Sequence, residues 1–239
     1  MKFVIKSKYL DDDESIPYPL RNIELAIGDG IKIYTKGQDD GYGSKHWDEY
    51  INYIQLHKRN NKIYNALEWC CGPAYFSIIM LKLGIADKMI MADIHAPLEK
   101  NINSSLKASN LYNRGQFICS DNFKNIPKQK FDLIIGNPPH FNWEDNPPNW
   151  NNPEEYELCH EDRKFVDNNW NIHKDFFNNV NNYLKDNGDI ILMENTKKHG
   201  SDMYTFIEML KKNNLKYIHA EKSKDYPDDI WYIHIRKDL

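Results

Sequence analysis

A chain of 239 residues with 41% hydrophobic and 28% charged side chains carries enough apolar material for a sizeable core, and one domain with a decorated end or an insertion is the natural expectation. Its formal net charge of −4 excludes a strong global positive field, so nucleic acid is not the default partner, although a local basic patch can still serve one. No run of about 18 apolar residues occurs, the N-terminal stretch turns acidic at Asp11, Asp12 and Asp13, and the four cysteines, with Cys70 and Cys71 adjacent, match neither a secreted disulfide framework nor a CxxC pair; reduced thiols, a cytoplasmic location, no metal and no membrane are expected.

Residues 1–44 show weak periodicity and read as an N-terminal extension, with short strands near 23–27 and 31–34 and a turn-rich end, GQDDGYGS, whose Tyr42 suits a cover over an active site. The main domain is expected over 45–239. Behind Ser44, residues Trp47, Tyr50, Ile51 and Ile54 recur at helical spacing, which predicts a helix ending near Asn60.

Apolar strands and amphipathic helices then alternate: IYNALEW, AYFSIIMLKLG, KMIMAD, APLEKNINSSLKASN, GQFICS and FDLIIG. Short apolar runs separated by helices are the pattern of a parallel sheet with crossover helices, so the fold class is α/β, doubly wound. Residues 141–167 interrupt the alternation with Pro147, Pro148 and Pro153, the aromatics Phe141, Trp143, Trp150 and Tyr156, and a dense acidic content. A connection of that length is usually functional or disordered, and a lid-like insertion is expected. A helix over 170–184, the turn KDNG, the strand DIILMEN, a helix over 203–213 and the strands LKYIHAEK and IWYIHIRK follow. Only YPDD joins the final two, which predicts an antiparallel hairpin and a mostly parallel sheet of seven strands in all.

Three strand ends carry candidate binding chemistry. ALEWCCGPAYFS turns the first strand of the alternation into a helix, with Gly72 and small Ala74 allowing a ligand close to backbone N–H groups at a helix start. The next strand ends at Asp93, where a carboxylate can accept both ribose hydroxyls of a nucleoside, and the third ends beside Asp121. In such sheets ligands bind outside the carboxyl ends of the strands, so the three ends are expected to share one crevice.

The fourth strand, FDLIIG, runs into Asn137, Pro138, Pro139 and His140. Two prolines fix a stiff, extended backbone. An amide or aryl amine nitrogen is a poor nucleophile, and the Asn137 side-chain oxygen and the Pro138 carbonyl can accept its two N–H groups, orienting it and stabilising the positive charge that develops there. His140 can instead take a proton, since an unperturbed imidazole titrates near neutrality, or simply pack the wall; His160 and His173 read as structural.

These segments resemble the motifs of class I S-adenosylmethionine-dependent methyltransferases over residues 62–236. LEWCCGPAYFS looks like the first motif, MADIHAPLEKNI the second, SDNF the third, and NPPH the fourth motif of amino-methyltransferases, written (D/N)PP plus an aromatic. The resemblance implies a Rossmann-like fold and S-adenosylmethionine as cofactor, with S-adenosylhomocysteine as product. It places the backbone near Glu68, Cys70 and Gly72 around the methionine part, Asp93 on the ribose, Asp121 on the adenine amine and Asn137 at the substrate nitrogen, and it counts Ala74, Ile94, Asn122 and Asn137 among the cofactor-binding residues. The group includes enzymes acting on glutamine in proteins, adenine in DNA or RNA, and guanine in ribosomal RNA. This chain departs from it where Glu68, Cys70 and Ala74 replace the usual aspartate and glycines, and where His140 replaces the aromatic residue.

Between Asn142 and Asp162 lie seven carboxylates and no Lys or Arg. A rim of that charge repels phosphate backbones, which favours a small amine-bearing molecule or a protein side chain as substrate. Lys107, Lys124, Lys128 and Lys130 keep an RNA or DNA base as the alternative.

Overall fold

The computed structural model describes residues 5–11, 21–28, 30–36, 43–59, 62–140, 142, 166–195, 203–225 and 230–239. Tyr42, His160, the YPDD turn and nearly all of the expected lid lie outside these residues. In chain order the elements are β1 (Ile5–Tyr9), β2 (Asn22–Ile27), β3 (Ile31–Lys36), α1 (Gly43–His57), β4 (Ile63–Trp69), α2 (Tyr75–Lys82), β5 (Ala86–Asp93), α3 (Leu98–Ala108), β6 (Gly115–Cys119) and β7 (Phe131–Gly136). A 3-10 turn (Asn168–Trp170), α4 (Asn171–Val180), β8 (Leu184–Asn195), α5 (Met203–Lys212), β9 (Leu215–Lys222) and β10 (Ile230–Lys237) complete them.

Seven strands make one sheet in the order β6-β5-β4-β7-β8-β10-β9. The pairs β4 with β5, β5 with β6 and β7 with β8 are parallel, whereas β10 runs antiparallel to both β8 and β9. The mostly parallel seven-stranded sheet with its closing antiparallel hairpin is the architecture expected from the alternating pattern. Contacts divide the chain into two compact units, residues 1–56 with 61–126 and residues 57–60 with 127–239.

The core of the first unit is α2. Every residue from Tyr75 to Leu81 is buried, and Phe76 meets Tyr50 of α1 edge to face, with ring centroids 4.8 Å apart. Glu68 on β4 secures the start of this helix. Its Oε2 accepts the backbone N–H of Ser77 at 2.8 Å and also meets the Ser77 hydroxyl, and both side chains are buried.

Residues 1–44 contribute a second sheet, β1-β2-β3, antiparallel throughout. Strands β2 and β3 fall where apolar alternation placed them. β1 had no such signal, because Lys6, Ser7 and Lys8 are exposed and polar. β3 lies along α3, where two buried serines take the place of a further strand. The Tyr34 N–H donates to Ser105 Oγ at 2.8 Å, and Ser109 Oγ accepts the Lys32 N–H at 3.0 Å while donating to the Lys32 carbonyl at 3.1 Å.

In the second unit the core is built from Phe131, Ile134 and Ile135 of β7, Phe176 and Phe177 of α4, Ile190 and Ile191 of β8, Phe206 of α5 and Tyr232 of β10. The helix expected to reach residue 184 stops at Val180, because Leu184 already pairs with Phe131 in the ladder. The register then jumps to Leu133 opposite Asp189, so the KDNG residues form an irregularity within β8.

The Glu68 carboxyl is pushed from 4.5 up to about 8, first by burial and also by the Asp93 carboxylate, against the lowering effect of its hydrogen bonds to Ser77. A raised carboxyl holds its proton more tightly in the folded state, so its stabilisation is complete below about pH 4.5 and is lost as pH rises through about 8. Glu68→Gln, which keeps an acceptor for Ser77 but cannot ionise, is expected to gain stability relative to the parent between pH 5 and 9; urea unfolding across that range checks it, and parallel stability curves would refute it.

Candidate functional site

In the first unit the turn between β4 and α2 is bent by three left-handed residues, Cys70 (φ 54°), Gly72 (φ 48°) and Ala74 (φ 62°). Glycine adopts this region freely, whereas a side chain there costs about 1–2 kcal/mol. Cys70 and Ala74, the two positions where the resemblance leads to an expectation of glycine, are therefore where the backbone is strained. The turn is nevertheless tightly held. The Cys71 N–H donates to the Ala92 carbonyl at 3.0 Å, the Ala74 N–H to the Cys71 carbonyl at 2.8 Å, and the Gly72 N–H to Asp93 Oδ2 at 2.9 Å. Ala74 is the cap residue of α2 and supplies no side-chain bond to its first turn. Cys70, Cys71 and Cys119 are free thiols, and burial raises the Cys71 thiol well above its ordinary range.

Asp93 ends β5 half-buried, and its other oxygen accepts the His95 N–H at 2.9 Å. These two backbone bonds orient the carboxylate. Ile94, the next residue, is 48% exposed. Beyond β6, Asp121 is solvent-exposed and pairs with Lys124 Nζ at 2.5 Å. Asn122 is buried, and its side-chain oxygen accepts the Trp69 indole N–H at 2.7 Å, linking the turn after β6 to the end of β4.

In the second unit β7 is buried along its whole length and delivers the Asn-Pro-Pro-His turn. Pro138 and Pro139 are buried, and Asn137 is partly so. Asn137 Oδ1 is a buried atom that accepts no hydrogen bond from any described residue. An unsatisfied buried acceptor costs about 1–3 kcal/mol, so the atom has unused capacity toward a donor beyond the described residues.

Behind the turn lies a buried chain of charged groups. His140 Nδ1 is 3.6 Å from Glu194 Oε2, within ion-pair range but beyond a hydrogen bond. Glu194 Oε1 contacts His173 Nε2 at 3.0 Å, and His173 Nδ1 contacts Asp167 Oδ2 at 2.6 Å. Asp167 also accepts the N–H groups of Ile172 and His173 at 2.8 and 3.0 Å, which fixes the start of α4. Asp167, His173 and Glu194 are 1%, 0% and 0% exposed. Burial alone would lower the His173 pKa; the Glu194 carboxylate and the hydrogen bonds to Asp167 and Glu194 outweigh it and push the imidazole up to about 9. Burial likewise favours neutral Glu194, but His173 and His140 hold its carboxyl below the ordinary range.

Of the residues singled out from the sequence, Cys70, Gly72, Ala74, Asp93 and Ile94 are gathered at the ends of β4 and β5, with Asp121 and Asn122 just beyond β6 and Glu68 turned into the core. Asn137, Pro138, Pro139 and His140 form the turn after β7. Sequence reasoning did not single out Asp167 or Glu194, and it read His173 as structural. The only local signal was the acidic residue ahead of a helix start at Asp167.

The chain is 34% identical over 140 residues to a bifunctional methyltransferase of Rickettsia bellii, covering 56% of this chain and 24% of the relative, so it spans about a quarter of that protein's length. Its fold is similar to that of a ribosomal protein L11 methylase from Lactobacillus delbrueckii subsp. bulgaricus, with a TM-score of 0.56, 14% identity, and 82% of this chain and 81% of that one covered. It is equally similar to an S-adenosylmethionine-dependent methyltransferase from Clostridium acetobutylicum, with a TM-score of 0.57, 11% identity, and 82% and 92% covered. The fold is thus that of the S-adenosylmethionine-dependent methyltransferases. No described helix is long and apolar enough to cross a membrane. Residues 73–226, more than half of the chain, match one family throughout, and the chain belongs to the Eco57I restriction-modification methylase family.

Proposed function

We propose that this chain transfers a methyl group from S-adenosylmethionine to a nitrogen atom of its substrate. The observation that carries the reading is the buried, unsatisfied Asn137 Oδ1 at the end of β7, inside the segment that matches a methylase family. When bound, S-adenosylmethionine supplies a methyl group already activated on a sulfonium.

The residues present fit that cofactor. Asp93 is a half-buried carboxylate of the kind that accepts ribose hydroxyls, Ile94 offers an exposed apolar side chain to a planar base, and Asp121 is an exposed acceptor for an adenine amine. The backbone of Cys70, Gly72 and Ala74, with the uncapped first turn of α2, suits the amino-acid part. Glu68 and Asn122 hold these elements in place through Ser77 and Trp69. Asn137 Oδ1 and the Pro138 carbonyl accept the two N–H groups of the substrate nitrogen and aim its lone pair, while the two prolines keep the acceptors from relaxing.

The acidic stretch between Asn142 and Asp162 favours a small amine-bearing molecule or a protein side chain as the substrate. The family's description, which points to modification of nucleic acid, favours the second reading, a base nitrogen of DNA or RNA. Of the lysines that would serve it, Lys124 is already paired with Asp121.

Asp93→Ala removes the ribose acceptor and is expected to weaken S-adenosylmethionine binding by more than tenfold, about 1.5–3 kcal/mol; calorimetry that finds no binding to the parent protein would end the reading. Asn137→Ala should keep cofactor affinity within a few-fold while turnover falls by roughly two orders of magnitude, and unchanged turnover would take Asn137 out of the mechanism. Gel-shift titration with bulk RNA and DNA separates the substrate classes. No shift at low salt supports the protein or small-molecule reading, and micromolar binding that weakens steeply with salt supports the base.

A further inference from the structure

Resting on the reading of this chain as an N-methyltransferase, we propose that Asp167, His173 and Glu194 form a buried relay that orients His140, so that its Nε2 accepts the proton released when the substrate nitrogen is methylated. Asp167, His173 and Glu194 then act as positioning residues, and His140 acts as the base.

The geometry runs in one direction. Asp167 is fixed by two backbone N–H groups at the start of α4, and it holds His173 at 2.6 Å. With both ring nitrogens facing carboxylates, His173 donates to each as an imidazolium and is not available as a metal ligand. It pins Glu194 Oε1 at 3.0 Å, which leaves Oε2 directed at His140 Nδ1 3.6 Å away. A carboxylate on that side favours the tautomer with the proton on Nδ1 and turns the lone pair to Nε2. His140 keeps a side-chain exposure of 13%, whereas Glu194 has none, so proton exchange with the outside passes through the imidazole. Glu194 from β8 faces His140, and His173 from α4 and Asp167 ahead of that helix stand behind it.

The charges point the same way. Two carboxylates and one imidazolium leave the buried group with a net charge of −1, and a proton on His140 brings the total to zero. Buried charge is tolerated when it is paired, and Glu194 stands within ion-pair range of the ring that takes the proton. In the transfer, the substrate nitrogen's lone pair forms the new bond to the methyl carbon, and the carbon–sulfur bond breaks with its electron pair remaining on sulfur. The nitrogen, now cationic, gives one N–H proton to His140 Nε2 and recovers its lone pair. The imidazolium formed faces Glu194. A planar aromatic residue at this position could stack on the substrate but could not take the proton.

Nitrogen-15 NMR of the histidine side chains in the full chain, without cofactor, reads the arrangement independently of any activity. The neutral His140 ring is expected to carry its proton on Nδ1. In Glu194→Gln kcat should fall about tenfold, because the carboxylate no longer orients the ring, while KM and cofactor affinity stay within a few-fold. A neutral ring protonated on Nε2, or a kcat that is unchanged in Glu194→Gln, overturns the proposal. The tautomer needs only the parent protein, so a variant that fails to fold leaves the test intact. Should no acceptor ever be methylated, the methyltransferase reading fails and the role of His140 as base fails with it, while the tautomer still reports whether the relay itself exists.

Discussion

Glu194 holds a carboxylate where no water reaches it, and the second unit is arranged around keeping that charge paired. An unpaired buried charge is costly, and removing one partner of a buried pair leaves the other stranded. His173 therefore has to sit on the first turn of α4 facing β8, and Asp167 has to close the far side of the ring while capping the helix start. The turn after β7 inherits its surroundings from this constraint, because His140 packs against the remaining oxygen of Glu194. The first unit meets the same problem by the opposite route. Glu68 is also fully buried, but it has two Ser77 donors and no cation, and its raised pKa near 8 lets it keep a proton. Two buried glutamates thus anchor two helices to the sheet, one as a neutral acid and the other as an ion.

The strained turn after β4 belongs with this picture. Left-handed backbone at Cys70 and Ala74 persists because the surrounding bonds over-determine it: the Cys71 N–H is tied to β5, and the Gly72 N–H to Asp93. Asp93 is accordingly oriented from within the chain, by the Gly72 and His95 N–H groups, at the end of β5. Small Ala74, without glycine's freedom, shows that the turn is maintained by its hydrogen bonds rather than by the intrinsic preference of its residues.

Most of the architecture was legible because it is written in short-range patterns. IYNALEW, KMIMAD and FDLIIG are apolar runs of strand length, and Gly72, Asp93 and Asn137 stand where such runs end. What escaped notice depends on pairs far apart in the chain or on polar residues with no period. The Trp69 indole finds Asn122 53 residues later, His173 finds Glu194 21 residues later, and β3 finds Ser109 across 77 residues. β1 escaped because Lys6, Ser7 and Lys8 carry no apolar alternation; its identity comes from the partner strand β2. Glu68 was legible as a residue of the first motif, but not as the anchor of α2, since nothing in the spacing says that its side chain turns inward.

The serines on α3 bear on how the three-stranded sheet is kept from pairing with another chain. A strand at the border of a small sheet normally shows a row of backbone donors and acceptors that another chain can copy, which is how edge-to-edge association begins. On β3 that row is closed from within: Ser105 receives one N–H, and Ser109 both receives and gives, so the helix imitates the ladder of a neighbouring strand without offering a further edge of its own. At the opposite border, β1 carries the exposed side chains of Lys6 and Lys8, whose like charges repel an incoming copy of the same strand. The three-stranded sheet is thereby terminated on one side by hydroxyl groups and on the other by charge, and the chain can carry an antiparallel appendage beside its main sheet without that appendage becoming a template for aggregation.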